Sequence, residues 1–331
     1  MKTNEQLNMV ILDDYHEFFE KKNINKSLPS FVKLTILNKH YVNDEELINA
    51  MYDYHIIVGI RERTAFPETV LNSLPNLKLL ITTGGRNASF DLDAATKNNI
   101  VVSGTLGAGE GPVDLTWGLI ISLMRGIHTE DRLARNGMWG TIVGPALTGK
   151  TLGLLGLGHI GKLVAQVGIA FGMNVIAWSE NLTQQIARQY GVKYVDKKTL
   201  FMDSDVLSVH LKLSDRTRGI ISKEELSLMK PSSYLINTSR GPIIDEKSLI
   251  DALNTMKISG AGIDTFDIEP LPINHPLFST PNTIITPHIG YVTIEAYEIY
   301  TEGIIENVLA FLNHNPKRVL NPTVLKEYFS K

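Results

Sequence analysis

The chain has no cysteine. That excludes disulfides, thiolate nucleophiles and thiolate metal sites, and it suits a reducing compartment. A long hydrophobic run is also missing. The most apolar stretch, Leu115–Met124, is bracketed by Asp114 and Arg125 and is roughly half the ~20 residues that a membrane span requires; it reads as a buried helix. The opening residues Met1–Asn8 are polar and lack the apolar core of a signal peptide. Charge of one sign is scarce: 32 Lys and Arg against 35 Asp and Glu leave a net charge of -3, too little to draw the chain to a phosphate backbone or an anionic lipid surface. There is no internal repeat, low-complexity tract or charge run. Nucleic acid and membrane are therefore not expected as partners, a small ligand is, and a cytoplasmic location is expected.

What is present is the composition of a globular protein. Of 331 residues, 43% are hydrophobic and 20% charged, enough for two domains that each bury a core. Short β-rich runs alternate with helix-length amphipathic stretches, the pattern of parallel sheets covered by helices, so the class is α/β. In the first hundred residues strands are expected at Met9–Leu12, Val32–Leu37, Ile56–Gly59, Leu79–Thr82 and Ile100–Ser103, with helical pieces at Asp44–Ala50 and Pro67–Leu74. Gly104, Gly107, Gly109, Gly111 and Pro112 then form the densest cluster of backbone breakers, which marks a hinge or domain boundary. Helical stretches over Val113–Met124 and Ile127–Met138 follow, then a second strand–helix series from Thr151 to about Pro287. A last helix is expected over Thr293–Asn313.

The second series opens on a recognisable turn. Thr151–Leu155 has the pattern of a buried strand, and Gly156-Leu157-Gly158-His159-Ile160-Gly161 follows it directly, ahead of a helical stretch to Phe171. This is G-x-G-x-x-G between strand and helix. Gly156 permits the tight turn, Gly158 lets a pyrophosphate approach the backbone, and Gly161 lets helix and strand pack closely. The phosphates sit where unpaired amides and the helix dipole favour negative charge. An ordinary glycine-rich turn is the bland reading, but the following strand Asn174–Trp178 completes the dinucleotide-binding context. Overlapping its start, Gly144–Thr151 also matches the phosphate loop of nucleotide triphosphatases. That loop needs a helix to begin at Lys150-Thr151, and here those residues open a strand, so the match is a decoy. Past the second strand stand Ser179 and Glu180; Ser179 can bond a ribose hydroxyl or a 2′-phosphate, Glu180 would repel the phosphate if it points inward, and no Arg is adjacent. NAD is the expected cofactor and NADP stays open.

Farther on, Asn237-Thr238-Ser239-Arg240-Gly241-Pro242 follows an expected strand at Tyr234–Asn237, and Gly262–Pro270 and Thr286-Pro287-His288-Ile289-Gly290 come after it. With the glycine turn, these segments resemble the D-isomer-specific 2-hydroxyacid dehydrogenase family in order and spacing, strongly from Leu147 to Gly290 and loosely over the first hundred residues. The resemblance implies a Rossmann-type cofactor domain, residues 104–291, inserted into a smaller flavodoxin-like substrate domain, residues 1–103 and 292–331. Both would be doubly wound parallel sheets, and the protein a homodimer that meets through the helices after Pro112. It also implies a catalytic Arg240, Glu269 and His288 in the cleft between the domains. Those residue types fit the chemistry. Hydride transfer at C2 requires a proton to move on the hydroxyl, and imidazole can act in both directions near neutral pH. A carboxylate on its other ring nitrogen fixes the tautomer and favours the imidazolium, and a forked, permanently charged guanidinium suits the substrate carboxylate. Singly, a His after Pro, a Glu before Pro and an Arg before Gly are ordinary turn, loop and cap residues; together at strand ends they are not.

Further positions carry over from the family in the same way. His159 and Ile160 are implied near the pyrophosphate, Thr217, Thr238, Ser239 and Gly290 near the nicotinamide half, and Asp264 near the nicotinamide amide. Asp264 also reads as a strand-end turn and Thr217 as a cap. In the first domain Gly84, Gly85 and Arg86 fall where backbone amides would bind the substrate carboxylate, with Arg61 and Arg63 nearby. Three residues depart from the common pattern: Ser179 stands where Asp is common, Lys212 where Pro is common on the adenosine side, and Tyr291 where a small residue is usual. No metal ligand set is evident. Two alternatives share the fold, a formate dehydrogenase and an NAD-sensing corepressor. The first pairs its His with Gln rather than Glu, and the second calls for a peptide-docking extension that the sequence does not display.

Overall fold

The computed structural model describes residues 6–41, 43–107 and 109–328. Parts of the expected terminal segments, residues 1–5 and 329–331, lie outside the described residues, as does Ala108 within the glycine-rich cluster. The chain divides into two compact units. One is Met1–Ala108 with Thr293–Lys331, the other Gly109–Val292.

In the first unit five strands form a parallel sheet: β1 (Leu7–Ile11), β2 (Val32–Ile36), β3 (Ile56–Gly59), β4 (Leu79–Thr82) and β5 (Val101–Gly104), in the order β2-β1-β3-β4-β5. Strands β3 to β5 are buried at every position, which is why they read as unbroken apolar runs and not as an alternation. Val10, Ile57, Leu80 and Val102 pack with Phe66, Phe90 and Leu71 to make the core. The expected helix at Pro67–Leu74 is shorter, Glu68–Leu71, because Pro75 disfavours helical backbone before it. The last long helix, Ile294–Leu312, is capped by the Thr293 hydroxyl on the amide of Ala296.

The second unit holds a seven-stranded parallel sheet. Its strands are β6 (Thr151–Leu155), β7 (Asn174–Trp178), β8 (Lys193–Tyr194), β9 (Val206–Val209), β10 (Tyr234–Asn237), β11 (Gly260–Ile263) and β12 (Thr283–Ile285), in the order β12-β11-β10-β9-β6-β7-β8. Sequence neighbours β8 and β9 lie on opposite sides of β6, so the winding reverses beside β6, where ligands of open α/β sheets bind. Two apolar clusters cover the sheet, one around Leu155, Phe201, Leu207 and Leu235, the other around Trp117, Leu152, Leu154 and Val164. Leu115–Met124 does form most of a helix, Gly111–Met124, with Trp117, Ile120 and Leu123 buried. The next helix stops at Arg135 rather than Met138, because Gly137 and Gly140 take left-handed backbone just beyond it. No helix among the described residues is long and apolar enough to cross a membrane.

Candidate active site

Arg240, Glu269 and His288 follow β10, β11 and β12, three consecutive neighbours in the sheet. Parallel strands all end on the same edge, so that order brings the three loops that carry these residues to one edge of the sheet. Asn237, itself buried, shapes the first turn: its Oδ1 accepts from the amide of Ser239 at 3.0 Å and its Nδ2 donates to the carbonyl of Arg240 at 3.0 Å. Gly241 then lets the turn lie on the next one, since a Cβ there would fall 2.1 Å from the carbonyl carbon of Phe266. The loop after β11 is closed by the Phe266 amide, which donates to Glu269 Oε1 at 2.9 Å.

The other oxygen of Glu269 meets His288 Nδ1 at 2.6 Å. The imidazole is thus fixed through one ring nitrogen, and Nε2 makes no hydrogen bond among the described residues. His288 has left-handed backbone, φ 52°, a conformation that costs a non-glycine residue energy and persists only when its surroundings impose it. They do so through Asp264, which has no exposed surface. Its Oδ1 accepts from Thr286 Oγ1 at 2.6 Å and the Ile289 amide at 2.8 Å, and its Oδ2 accepts from the Gly290 amide at 2.9 Å. Burial pushes the Asp264 carboxyl up, and those three donors oppose it. Asp264 therefore clamps the histidine loop from beneath.

The glycine turn meets the steric requirements of a dinucleotide cradle. Gly156 has φ +107°, and a Cβ on it would fall 2.7 Å from the carbonyl oxygen of His210. A Cβ on Gly161 would fall 2.2 Å from the Gly156 oxygen, whereas one on Gly158 would meet nothing within 4 Å. Two glycines are thus needed for internal packing, and the middle one leaves open space for a ligand. The helix His159–Ala170 starts directly on this turn, and no helix starts at Lys150-Thr151, because β6 begins at Thr151. Beside the turn, His210 Nε2 pairs with Ser208 Oγ at 2.9 Å. Burial brings the His210 imidazole down to about 4 from its ordinary 6.5, so it is neutral at pH 7 beside the glycine turn.

That depression has a sign that can be measured. Between the two values the unfolded chain binds the extra proton and the native protein does not, so stability falls as pH drops from above 6.5 towards 4. The full shift corresponds to roughly 3 kcal/mol, of which about 2 is lost between pH 7 and pH 4.5. Denaturant unfolding of the cofactor-free protein at pH 7 and pH 4.5 should show that loss in the wild type and a smaller one in His210→Gln; equal losses would contradict it.

Comparison with known proteins agrees with this geometry. Residues 117–290 match the model of the D-isomer specific 2-hydroxyacid dehydrogenase NAD-binding domain. The chain belongs to this family. The glyoxylate reductase of Thermococcus litoralis is 36% identical over 267 residues, 77% of this chain and 80% of that protein. A phosphoglycerate oxidoreductase from Vibrio cholerae superposes with a TM-score of 0.89 at 35% identity, covering 93% of this chain and 99% of that one. A D-lactate dehydrogenase from Aquifex aeolicus, complexed with NAD and lactic acid, gives a TM-score of 0.76 at 27% identity, over 95% and 99% of the two chains. The protein is accordingly a two-sheet α/β oxidoreductase of the 2-hydroxyacid dehydrogenase family with a site for a nicotinamide cofactor.

The remaining residues implied by the family resemblance fall into two groups. Some already have protein partners: Thr238 Oγ1 lies 2.8 Å from Thr116 Oγ1, Ser239 Oγ donates to the Val209 carbonyl at 2.6 Å, and Thr217 Oγ1 accepts from the Ser214 amide and donates to the Lys212 carbonyl. For Thr217 the turn cap is thus what the structure displays. Others stand open at the turn, with His159 exposed and Ile160 and Ser179 half-buried. In the first unit Gly84 has φ +90° and its amide donates to Thr105 Oγ1 at 2.7 Å, so Gly85 and Arg86 form the exposed part of that loop. Tyr291 packs edge-on against His288, ring centroids 5.5 Å apart. Sequence reasoning missed Asn237, Thr286 and Ser208, which hold Arg240's turn, Asp264 and His210 through protein hydrogen bonds; the only available signal was an Asx or hydroxyl residue at or near each strand end.

Proposed function

We propose that the protein interconverts a small 2-keto acid, of the glyoxylate, hydroxypyruvate or phosphohydroxypyruvate type, and the corresponding D-2-hydroxy acid, with NAD(H) or NADP(H) as partner. The observation that carries this reading is the 2.6 Å contact between Glu269 and His288 Nδ1, one strand away from Arg240. When bound, the nicotinamide supplies or accepts the hydride at C2. In reduction His288 donates the Nε2 proton to the carbonyl oxygen as C2 gains the hydride, and water later restores that proton; in oxidation the same nitrogen takes the hydroxyl proton. Glu269 offsets the charge on the imidazolium and holds the ring. Arg240, half-buried with Nη1 donating to the Ser239 carbonyl at 2.8 Å, takes the substrate carboxylate. His159, Ile160 and the three glycines hold the pyrophosphate, and Asp264 and Gly290 fix the edge where the nicotinamide half lies.

The direct test is oxidation of NADH and NADPH by a panel of short 2-keto acids, with formate and NAD as the reverse control. Turnover of at least one keto acid is expected; a cofactor that binds but is oxidised by none of them would sink the reading. Glu269→Gln keeps the shape of the pair and removes its charge, so keto-acid reduction should lose roughly a hundredfold or more in kcat while the cofactor Kd holds. A kcat close to wild type would refute the pairing.

For assembly we propose a homodimer through the segment after Pro112. In support, Trp139 is 91% exposed and Val143 wholly so, with Met138 and Ile127 about half exposed beside them in sequence, a concentration of apolar surface unusual for a solitary chain. Light scattering should give twice the chain mass, falling to one chain in Trp139→Glu; a monomeric wild type would contradict it.

A further inference from the structure

The dinucleotide turn is bordered on both sides by residues outside the pyrophosphate contacts proposed above. On one side the Gly156 amide donates to the Trp178 carbonyl at 2.9 Å, which sets the end of β7, and with it Ser179, against the turn. On the other side Gly156 abuts the His210 carbonyl and Leu211 Cδ2, where a Cβ would fall 2.7 and 3.1 Å away. The next residue is Lys212. Sheet order β9-β6-β7 therefore places Ser179 and Lys212 on either side of the same turn, past the strand ends where the adenosine half of a dinucleotide lies.

Their chemistry suits an anion. Lys212 is exposed, takes part in no ion pair among the described residues, and has its backbone held by the bond from Thr217 Oγ1 to its carbonyl, 2.7 Å. The flexible stem of a lysine carries its charge across several ångströms from such an anchor. Ser179 is half-buried, its carbonyl accepts from the Leu182 amide at 3.0 Å, and its hydroxyl has no partner among the described residues. An acidic residue at that point binds the ribose 2′-hydroxyl and repels a 2′-phosphate; serine removes the repulsion and retains a donor. Glu180, the next residue, is exposed, and solvent screens its charge.

Resting on the dinucleotide reading above, we propose that the adenosine end of this site accepts a 2′-phosphate, with Lys212 as its counter-ion and Ser179 as its hydrogen-bond donor. The protein then binds NADP(H) at least as tightly as NAD(H). Calorimetry with adenosine 2′,5′-bisphosphate and with 5′-AMP reads this without turnover. The bisphosphate should bind about fivefold to tenfold more tightly than 5′-AMP, by an amount that shrinks in high salt. Lys212→Met should abolish that preference and leave 5′-AMP binding alone, and Ser179→Asp should reverse it. Equal binding of the two nucleotides to the wild type, or a Lys212→Met variant that weakens both alike, would overturn the proposal and leave the dinucleotide site intact. Failure of both nucleotides and of NADH to bind would remove the site altogether.

Discussion

His288→Ala is expected to lower kcat for keto-acid reduction by about three orders of magnitude, within the 10²–10⁴-fold that a positioned general acid contributes. Among the described residues no other side chain hydrogen-bonds Glu269 Oε2. Cofactor affinity should stay at its wild-type value, because the glycine turn follows β6 and the histidine follows β12, at the far edge of the sheet. The fold should survive as well. The loop is held by Asp264 through Thr286, Ile289 and Gly290, none of which involves the imidazole. Wild-type-like turnover would remove His288 from the mechanism, and loss of cofactor binding would show that the substitution had disturbed more than the proton carrier.

Gly161→Ala should act in the opposite way, on binding before chemistry. Its new methyl group would overlap the Gly156 carbonyl oxygen at 2.2 Å, a backbone atom that cannot swing aside as a side chain can. Either the helix moves off the strand or the turn opens, and overpacking of this kind costs about 1–3 kcal/mol. If ~2 kcal/mol of that falls on the bound state, the NADH Kd rises roughly 30-fold. Fluorescence titration measures it; a Kd within twofold of wild type would show that the turn tolerates a side chain and is no phosphate cradle. Gly158→Ala is the instructive partner. A Cβ there meets no protein atom within 4 Å, so it should leave the unfolding midpoint unchanged while still obstructing the dinucleotide.

Much of this arrangement is legible in the amino-acid sequence, because its parts carry local signals. Ile56–Gly59, Leu79–Thr82, Thr151–Leu155, Asn174–Trp178 and Tyr234–Asn237 fall where their apolar runs predicted, since strands of a parallel sheet buried on both faces have no polar alternation to confuse the reading. Three strands were not legible. Lys193–Tyr194 is a two-residue edge, and Thr283–Ile285 has three residues. Gly260–Ile263 contains glycines that depress its β-propensity; they are there because a Cβ on Gly262 would press within 3.0 Å of Leu119 and one on Gly260 would reach the Asn282 carbonyl. Those constraints come from elements distant in sequence. The same holds at the site. Arg240, Glu269 and His288 were readable from motif order, but the clamping role of Asp264 was not, because it depends on amides more than twenty residues downstream.

The smaller unit is assembled from both ends of the chain, and Asn321 shows what that entails for its making. Its Oδ1 accepts from the Val102 amide at 2.9 Å and its Nδ2 donates to the Ile100 carbonyl at 2.9 Å, flanking β5 across more than two hundred intervening residues. During synthesis the inserted unit emerges whole and can mature while that edge still waits for its last stitches. Closing so wide a ring adds little entropy cost over a modest one, because the cost grows only with the logarithm of length, but it does impose an order. The first sheet to leave the ribosome is the last to be sealed.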